Sequence, residues 1–262
     1  MSYTLITGAT GGLGKAFVWE LASRGEGLIL TGRSEEKLRL LQTELLEKYG
    51  DLVVQIIPAD LSKEEGRDDL KAKIKQNGWL LRRLINVAGA DIQKPLKEYT
   101  EEKIRFQCRV NLEAAIELCH FAVGQKADSL EIINISSVSG IYPMPYFAIY
   151  SATKSALTSF SLAFREEVKK QGVKVTVALP GAMPTREDIK AQIKGQGLWG
   201  KLAAKSPEYV AKKCLSAASK NRAKIIVGLG NKCMRFFTAL LPLSWKIKFI
   251  AKRWSKISKD AF

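Results

Sequence analysis

The sequence predicts an α/β fold built on one parallel β-sheet with helices on both faces. Short apolar segments rich in Val, Ile and Leu alternate along the 262-residue chain with longer segments of helical pattern. The short segments have no polar face, as expected of strands that are covered on both sides. Seven such segments occur, so we expect a doubly wound, seven-stranded parallel sheet in a single domain.

The strands and helices can be placed in chain order. We predict strands over residues 3–7, 27–31, 53–57, 84–87, 132–135, 173–179 and 224–227. Helices are predicted over residues 13–24, 35–49, 63–76 and 101–124, then from near Tyr150 toward residue 170, and over 207–220. Ser34 and Ser206 precede two of these helices as N-caps. Parallel strands joined by right-handed crossovers end at one edge of the sheet, and we expect the functional site there.

Composition limits the classes of function. The net charge of +16 indicates an anionic partner, such as a phosphorylated cofactor, nucleic acid or an acidic membrane. No nucleic-acid-binding motif appears, so nucleic acid is not expected. Four scattered cysteines and a single histidine predict reduced thiols in a cytoplasmic protein and no metal site. We expect neither a secretory signal peptide nor a membrane-spanning helix.

A glycine-rich loop follows the first strand and opens the first helix. It holds Gly8, Thr10, Gly12, Leu13 and Gly14. Glycine allows a tight turn and a close backbone approach to a pyrophosphate, and a helix N-terminus attracts phosphate. Glycines also serve ordinary turns, but the position between strand and helix predicts cofactor binding.

The end of the second strand indicates which dinucleotide binds. Arg33 and Ser34 follow it, and the first acid is Glu35. A basic side chain here accommodates a 2′-phosphate, whereas an acid accepts from the 2′-hydroxyl of NAD, so we predict NADP(H) rather than NAD(H). The alternative is that Arg33 stacks on adenine in an NAD enzyme.

The third and fourth strands also end in candidate cofactor residues. Asp60, followed by Leu61, could accept from an adenine amino group or simply begin the turn before the next helix. The fourth strand ends in Asn86-Val-Ala88-Gly89, whose small residues let the backbone lie against a ribose.

Four polar residues point to proton transfer. Tyr150 and Lys154 are four residues apart, so a helix places them on one face. An ammonium beside a phenol should lower the pKa of Tyr150 and make it a proton donor and acceptor near neutral pH, with Ser137 hydrogen-bonded to the same substrate oxygen. Such a pair often lies on a solvated helix face instead. Asn111, amid apolar neighbours, is either a structural tie or a water holder.

These segments resemble the short-chain dehydrogenase/reductase family over roughly residues 1–230, in the family's order and spacing. The matching features are T-G-x-x-x-G-x-G at 7–14, N-x-A-G at 86–89, Asn111, Ser137, Y-x-x-x-K at 150–154 and Pro180-Gly181. One departure is a valine at position 87, where the family usually has asparagine.

The resemblance implies a Rossmann-type fold and a catalytic tetrad. Tyr150 would be the general acid toward a carbonyl that Ser137 orients. Lys154 would bind the nicotinamide ribose and depress the pKa of Tyr150, and Asn111 would hold a water in the proton relay. Pro180, Gly181 and the residues up to Thr185 would contact the nicotinamide.

The predicted substrate pocket is apolar. It comprises Ser137 with Ile141, Tyr142, Phe147 and Met183, and it favours a lipophilic carbonyl compound. A glycine-spaced, lysine-rich segment at residues 186–205 is typical of a lid over a site.

A tail from residue 231 to 262 differs in composition from the preceding catalytic domain. It carries eight basic residues and one acid. After Pro242, a helix over 245–257 places Ile247, Ile250, Trp254 and Ile257 along one stripe. The stripe indicates an anionic membrane surface, packing on the domain itself, or contact with a partner subunit. We therefore leave open a peripheral membrane location and expect a homodimer or homotetramer.

The leading hypothesis is an NADPH-dependent reductase of ketones or aldehydes. The alternative is an NADP(H)-binding regulatory or scaffold protein of the same fold that does no chemistry. The complete Asn-Ser-Tyr-Lys set favours the enzyme.

Overall fold

The computed structural model describes residues 1–185 and 204–255. The strands within these ranges form one seven-stranded parallel sheet. The strand order is β3-β2-β1-β4-β5-β6-β7. The strands are β1 Ser2–Thr7, β2 Gly27–Gly32, β3 Val54–Pro58, β4 Leu80–Asn86, β5 Lys126–Ile135, β6 Val173–Leu179 and β7 Lys224–Ile226. This confirms the predicted sheet and single domain.

Adjacent residues of the central strands point into two separate hydrophobic cores. Ile6 of β1 and Ile133 of β5 contribute to the core on one face. Their neighbours Leu5 and Ile132 contribute to the core on the other face. Side chains alternate across a strand, so a strand that is apolar at every position must be covered on both sides.

Helices cover both faces of the sheet. They are α1 Gly12–Ala22, α2 Glu35–Lys48, α3 Glu64–Gln76, α4 Glu101–Cys108, α5 Ala114–Gly124, α6 Ala148–Val168, α7 Pro207–Ser219, α8 Leu229–Ala239 and α9 Leu243–Trp254. Ser34 caps α2 by accepting from the Lys37 amide, and Ser206 caps α7 by accepting from the Tyr209 amide. Both predicted N-caps are confirmed.

The fourth strand is longer than the prediction of residues 84–87. Its first half contains Arg83, which is buried because it forms ion pairs with Glu26 at 2.6 Å and Glu131 at 2.8 Å. A charged residue inside a strand breaks the apolar pattern, so the sequence showed only the second half. The fifth strand likewise begins earlier than predicted, in a stretch of partly exposed polar residues.

The single helix predicted over residues 101–124 contains an irregular turn. A π-helical turn at Arg109–Glu113 separates α4 from α5 and carries Asn111. Single π turns inside α-helices are frequent at functional sites. A π turn closes each hydrogen bond over one more residue than an α-helical turn does, and the helical pattern of the sequence does not reveal this insertion.

The strand order reverses beside β1, and this creates a crevice at the carboxyl ends of the strands. β2 and β3 lie on one side of β1, and β4 to β7 lie on the other. The Thr7 hydroxyl at the end of β1 accepts from the amides of Val87 and Ala88, both at 3.0 Å, and so ties the two strand ends together. Ligands of doubly wound sheets bind at such a crevice.

The two C-terminal helices lie over the crevice. The Trp254 ring stacks on Phe147 at 5.7 Å, and the Tyr142 and Thr238 hydroxyls are 2.6 Å apart. The division of the chain at residue 230 stays a prediction, and α8 begins at Leu229. The predicted lid and Ile257 lie almost wholly outside the described residues. None of the helices within the described ranges combines the length and apolar character needed to cross a bilayer.

Candidate active site

A cleft of about 1000 Å³ lies at the carboxyl ends of the strands. The glycine loop and the ends of β2 to β6 form one side, and α8 and α9 form the other. This volume is at the upper end of the range for ligand pockets and can hold a dinucleotide together with a substrate. Most of the predicted site residues line it, with the exceptions given below.

The glycine loop is packed so closely that side chains would not fit. Gly8 has φ +62°, and a Cβ on Gly14 would lie 2.0 Å from the Gly8 carbonyl oxygen. A Cβ on Gly12 would lie 2.6 Å from Cγ2 of Thr185, so the loop meets the segment after β6. The backbone and the start of α1 therefore line the cleft directly, as a pyrophosphate cradle requires.

The two residues after β2, Arg33 and Ser34, have different roles. Arg33 lines the cleft, with its guanidinium carbon 5.9 Å from the centre of the Phe106 ring. Ser34 does not line the cleft, because its hydroxyl caps α2. Arg33 thus places a basic side chain at the end of β2, where dinucleotide folds contact the adenosine ribose.

Asp60 lies at the cleft but is engaged in a turn. Its Oδ1 accepts from the Ser62 amide at 3.0 Å and from the Ser62 hydroxyl at 2.7 Å. Leu61 follows it along the wall of the cleft. Asp60 therefore does begin the turn before α3, as the alternative interpretation held. This turn does not prevent Asp60 from contacting an adenine base.

The N-x-A-G segment is split between interior and cleft. The Asn86 amide is buried and donates to Asn134 Oδ1 at 2.8 Å, so its side chain braces β4 against β5. Ala88 and Gly89 line the cleft. A Cβ on Gly89 would lie 3.0 Å from Asn111 Oδ1 and 3.3 Å from Lys154 Nζ, so both polar groups reach the backbone here.

Asn111 is a structural tie in this structure. Its Oδ1 accepts from the Ala90 amide at 2.7 Å, and its Nδ2 donates to the Ala90 carbonyl at 2.9 Å and the Thr153 hydroxyl at 3.2 Å. The side chain therefore joins the segment after β4 to the helix that carries Tyr150. The π turn at residues 109–113 brings it to this position.

Ser137, Tyr150 and Lys154 come together at the centre of the cleft. Ser137 lies close enough to Tyr150 for its hydroxyl to lower the pKa of the phenol. Lys154 is buried, and its Nζ donates to the Ile135 carbonyl at 2.9 Å and lies 5.8 Å from the centre of the Tyr150 ring. Strand β5 and helix α6 thus supply a proton donor, a hydroxyl partner and a cation within one site.

The pKa of Tyr150 differs from the sequence prediction. Burial and the charge of Asp91 raise the pKa of Tyr150 to about 12, and the Ser137 hydroxyl opposes them only in part. The predicted lowering of this pKa by Lys154 is not found in this structure, because burial dominates and Lys154 is not among the groups that shift the phenol. Burial lowers the pKa of Lys154 to about 8, against an opposing contribution from Asp91.

Asp91 is a site residue that sequence reasoning missed. It lines the cleft, and its negative charge raises the pKa values of both Tyr150 and Lys154. It comes two residues after Gly89, so its position directly after the N-x-A-G segment was the available signal.

The predicted substrate pocket is larger than expected because α8 and α9 extend it. Ile141, Tyr142, Phe147 and Met183 line the cleft as predicted residues of the pocket, and Phe147 contacts Tyr150 edge to face at 5.1 Å. Sequence reasoning missed the opposite wall, which includes Met234, Leu241, Trp245, Phe249, Ile250 and Trp254. The apolar stripe through Ile250 and Trp254 was the signal for this wall.

The segment after β6 completes the floor of the cleft. Pro180, Gly181 and Thr185 all line it. The Pro180 carbonyl accepts from the Val138 amide at 3.0 Å, which joins this segment to the turn after Ser137. The residues predicted to contact the nicotinamide therefore lie beside the proposed proton donor.

Comparisons with known proteins agree with this geometry. The chain is 32% identical over 192 residues to the very-long-chain 3-oxoacyl-CoA reductase of Bos taurus, covering 70% of this chain and 60% of that protein. It is 30% identical over 244 residues to a very-long-chain 3-oxoacyl-CoA reductase-like protein of Arabidopsis thaliana, covering 90% of this chain and 73% of that protein. The matched region thus spans only about 60% of the length of the bovine relative.

Solved structures share the fold. A structure from a study of 7beta-hydroxysteroid dehydrogenase stereoselectivity superposes with a TM-score of 0.85 at 26% identity, covering 95% of this chain and 96% of that one. L-sorbose reductase from Gluconobacter frateurii, complexed with NADPH and L-sorbose, superposes with a TM-score of 0.77 at 26% identity, covering 87% and 95%. The family model for short chain dehydrogenases matches residues 2–194, and the chain therefore belongs to the short-chain dehydrogenase/reductase family of oxidoreductases.

Proposed function

We propose that this chain reduces a ketone or aldehyde to an alcohol with NADPH as the reductant. The observation that supports this most strongly is the placement of Ser137, Tyr150 and Lys154 together at a cleft whose other end is a glycine cradle. Arg33 at the end of β2 supports NADP(H) over NAD(H), and the L-sorbose reductase neighbour was solved with NADPH.

Tyr150 is the proton donor in this proposal. A phenol with a pKa of about 12 stays protonated at neutral pH and can donate to a carbonyl oxygen as negative charge develops there. Ser137, which lines the cleft beside the phenol, holds the same oxygen and orients the carbonyl. When bound, the reduced nicotinamide supplies the hydride to the carbonyl carbon.

Lys154 would bind the ribose of the nicotinamide in this proposal, as the family resemblance implies. Its Nζ lies on the same helix face as Tyr150, 5.8 Å from the centre of that ring. Because its pKa is about 8, it exchanges protons near neutral pH. Asn111 hydrogen-bonds the Ala90 backbone and the Thr153 hydroxyl, and so fixes the segment after β4 relative to the helix that carries Tyr150.

The substrate class follows from the walls of the cleft. Aromatic and aliphatic side chains from the turn after β5 face those from α8 and α9, with Phe147 and Trp254 stacked across the gap. Such walls favour a lipophilic carbonyl compound over a sugar. The names of the bovine reductase and of the hydroxysteroid dehydrogenase also indicate lipid substrates.

A tyrosine variant tests the proposal. Tyr150→Phe should bind NADPH with unchanged affinity, measured by cofactor fluorescence, and lose at least about a hundredfold in kcat, since positioned general acids contribute that much. The matched control is Tyr209→Phe on α7, an exposed residue away from the cleft. Turnover is followed by NADPH absorbance with a panel of aliphatic and cyclic ketones, in parallel with NADH.

The outcomes separate the enzyme from its alternative. Full activity of Tyr150→Phe would refute the assigned mechanism. NADPH binding without turnover of any carbonyl compound by the unaltered protein would favour the regulatory or scaffold role. The predicted homodimer or homotetramer and the predicted cytoplasmic location stay predictions.

A further inference from the structure

Exposed apolar side chains are concentrated on the two C-terminal helices. Of fifteen exposed large hydrophobic residues in the described part of the chain, nine lie between Leu229 and Phe249. Phe236, Phe237 and Leu240 are 68%, 67% and 81% exposed. A contiguous apolar area of this kind marks a surface that binds something.

Helix α8 has two faces with different partners. One face, with Met234, Arg235 and Thr238, lines the cleft. The opposite face, here called the outward face, consists of Leu229, Cys233, Phe236 and Phe237 with Leu240 at the C-cap, none of which lines the cleft. Its members recur at helical spacing, so they form a continuous stripe directed away from the domain.

The sequence around the outward face is strongly basic. Residues 229–255 contain six lysines and arginines and no acidic residue. Lys232 on α8 and Lys248 and Lys252 on α9 are exposed. Trp245 and Phe249, each 66% exposed, lie beside these lysines at the rim of the cleft. Aromatic rings with flanking lysines are typical of helices at a membrane interface.

We propose that the outward face of α8, with the exposed lysines of α8 and α9, docks this protein on an anionic membrane surface. The stripe would enter the boundary between headgroups and acyl chains, and the lysines would bind the lipid phosphates. A second copy of the chain fits this surface less well. A two-fold contact places identical faces together, so it would bring two clusters of cations against each other with no acid in either.

Docking of this face has a consequence for the substrate, which rests on the proposed function. Trp245 and Phe249 belong to both the cleft wall and the exposed surface, so the cleft reaches solvent beside α9. On a bilayer, the mouth of the cleft would lie at the level of the lipid headgroups. A lipophilic carbonyl compound would then enter from the membrane without crossing water.

Vesicle sedimentation tests the docking. The unaltered protein should sediment with vesicles of phosphatidylcholine and phosphatidylglycerol, much less with phosphatidylcholine alone, and less as salt rises. Phe236→Ser combined with Phe237→Ser should weaken binding to the anionic vesicles by about tenfold or more. The matched control is Leu40→Ser combined with Leu46→Ser, which removes exposed apolar side chains from α2 near the opposite edge of the sheet.

The docking proposal can fail independently of the proposed function. Equal sedimentation of the two double variants, or no preference for anionic vesicles, would overturn the docking. A stable dimer in solution that dissociates in the double-Phe variant would also overturn it, because a second copy then covers the face. Melting curves check that both variants fold. Vesicle binding requires no turnover, whereas the double-Phe variant should still reduce a water-soluble ketone if the proposed function holds.

Discussion

Replacing Lys154 with methionine should stabilise the protein while it removes activity. Lys154 is 4% exposed, and its Nζ donates a hydrogen bond to the Ile135 carbonyl at 2.9 Å. Burial of the ammonium lowers the pKa of Lys154 from 10.5 to about 8, even though Asp91 attracts it. A group whose charged form is disfavoured on folding lowers stability wherever the unfolded chain keeps that charge.

The size of the effect follows from this pKa difference. At about 1.4 kcal/mol for each pKa unit, the charged Lys154 costs about 3 kcal/mol below pH 8. Between pH 8 and 10.5 the unfolded chain binds the proton and the folded protein does not, so stability rises with pH and the cost disappears. Methionine removes the charge but leaves the Ile135 carbonyl without its donor, which costs about 1 kcal/mol. The net gain at pH 7 is therefore about 2 kcal/mol.

Urea unfolding of the two proteins at pH 7 and pH 10, without added cofactor, measures this gain. Lys154→Met should be more stable by about 2 kcal/mol at pH 7, with the advantage falling to about zero at pH 10. Lys37→Met, on the exposed surface of α2, is the control and should show no such pH-dependent gain. An advantage that is absent at pH 7, or that is equal at the two pH values, would refute the reasoning.

Two further variants probe the glycine cradle and the acid in the cleft. Gly14→Ala should lower the melting temperature and abolish NADPH binding, because its Cβ would lie 2.0 Å from the Gly8 carbonyl oxygen; Gly50→Ala, where a Cβ meets nothing within 4 Å, should do neither. Asp91→Asn removes the negative charge that raises the pKa values of Lys154 and Tyr150, so both should fall. The basic limb of the pH profile of kcat/KM should then move to lower pH, and an unchanged profile would contradict this role.

Much of the fold could be predicted because most strands are apolar at every position. The pattern located β6 to the residue, and it located β1 and β2 to within one residue at either end. The pattern failed where a polar residue in a strand is paired with residues that are distant in the sequence. Arg83 is buried only because Glu26 and Glu131, far away in sequence, neutralise it. Partners of this kind cannot be read from local periodicity.

The site could be predicted as a set of residues but not as an electrostatic system. Spacing alone placed Tyr150 and Lys154 on one helix face, and the cleft contains both. The pKa of each depends on how deeply the folded chain buries it and on Asp91, a residue of a different segment. The wall that α8 and α9 add to the cleft could not be predicted either, because an apolar stripe in a sequence does not reveal which surface it contacts.

Burial acts on Tyr150 and Lys154 in opposite directions, and this difference bears on the direction of catalysis. The phenol, with a pKa of about 12, holds its proton, whereas the amine, with a pKa of about 8, releases one readily. Reduction of a carbonyl begins with a protonated phenol, so the site as built already holds the required state. Oxidation of an alcohol begins with a phenolate, which this environment disfavours until the pH rises or added positive charge lowers the pKa of Tyr150. In the proposed reaction, Tyr150 is therefore already in the protonation state that reduction requires near neutral pH, in agreement with the NADPH preference proposed from Arg33.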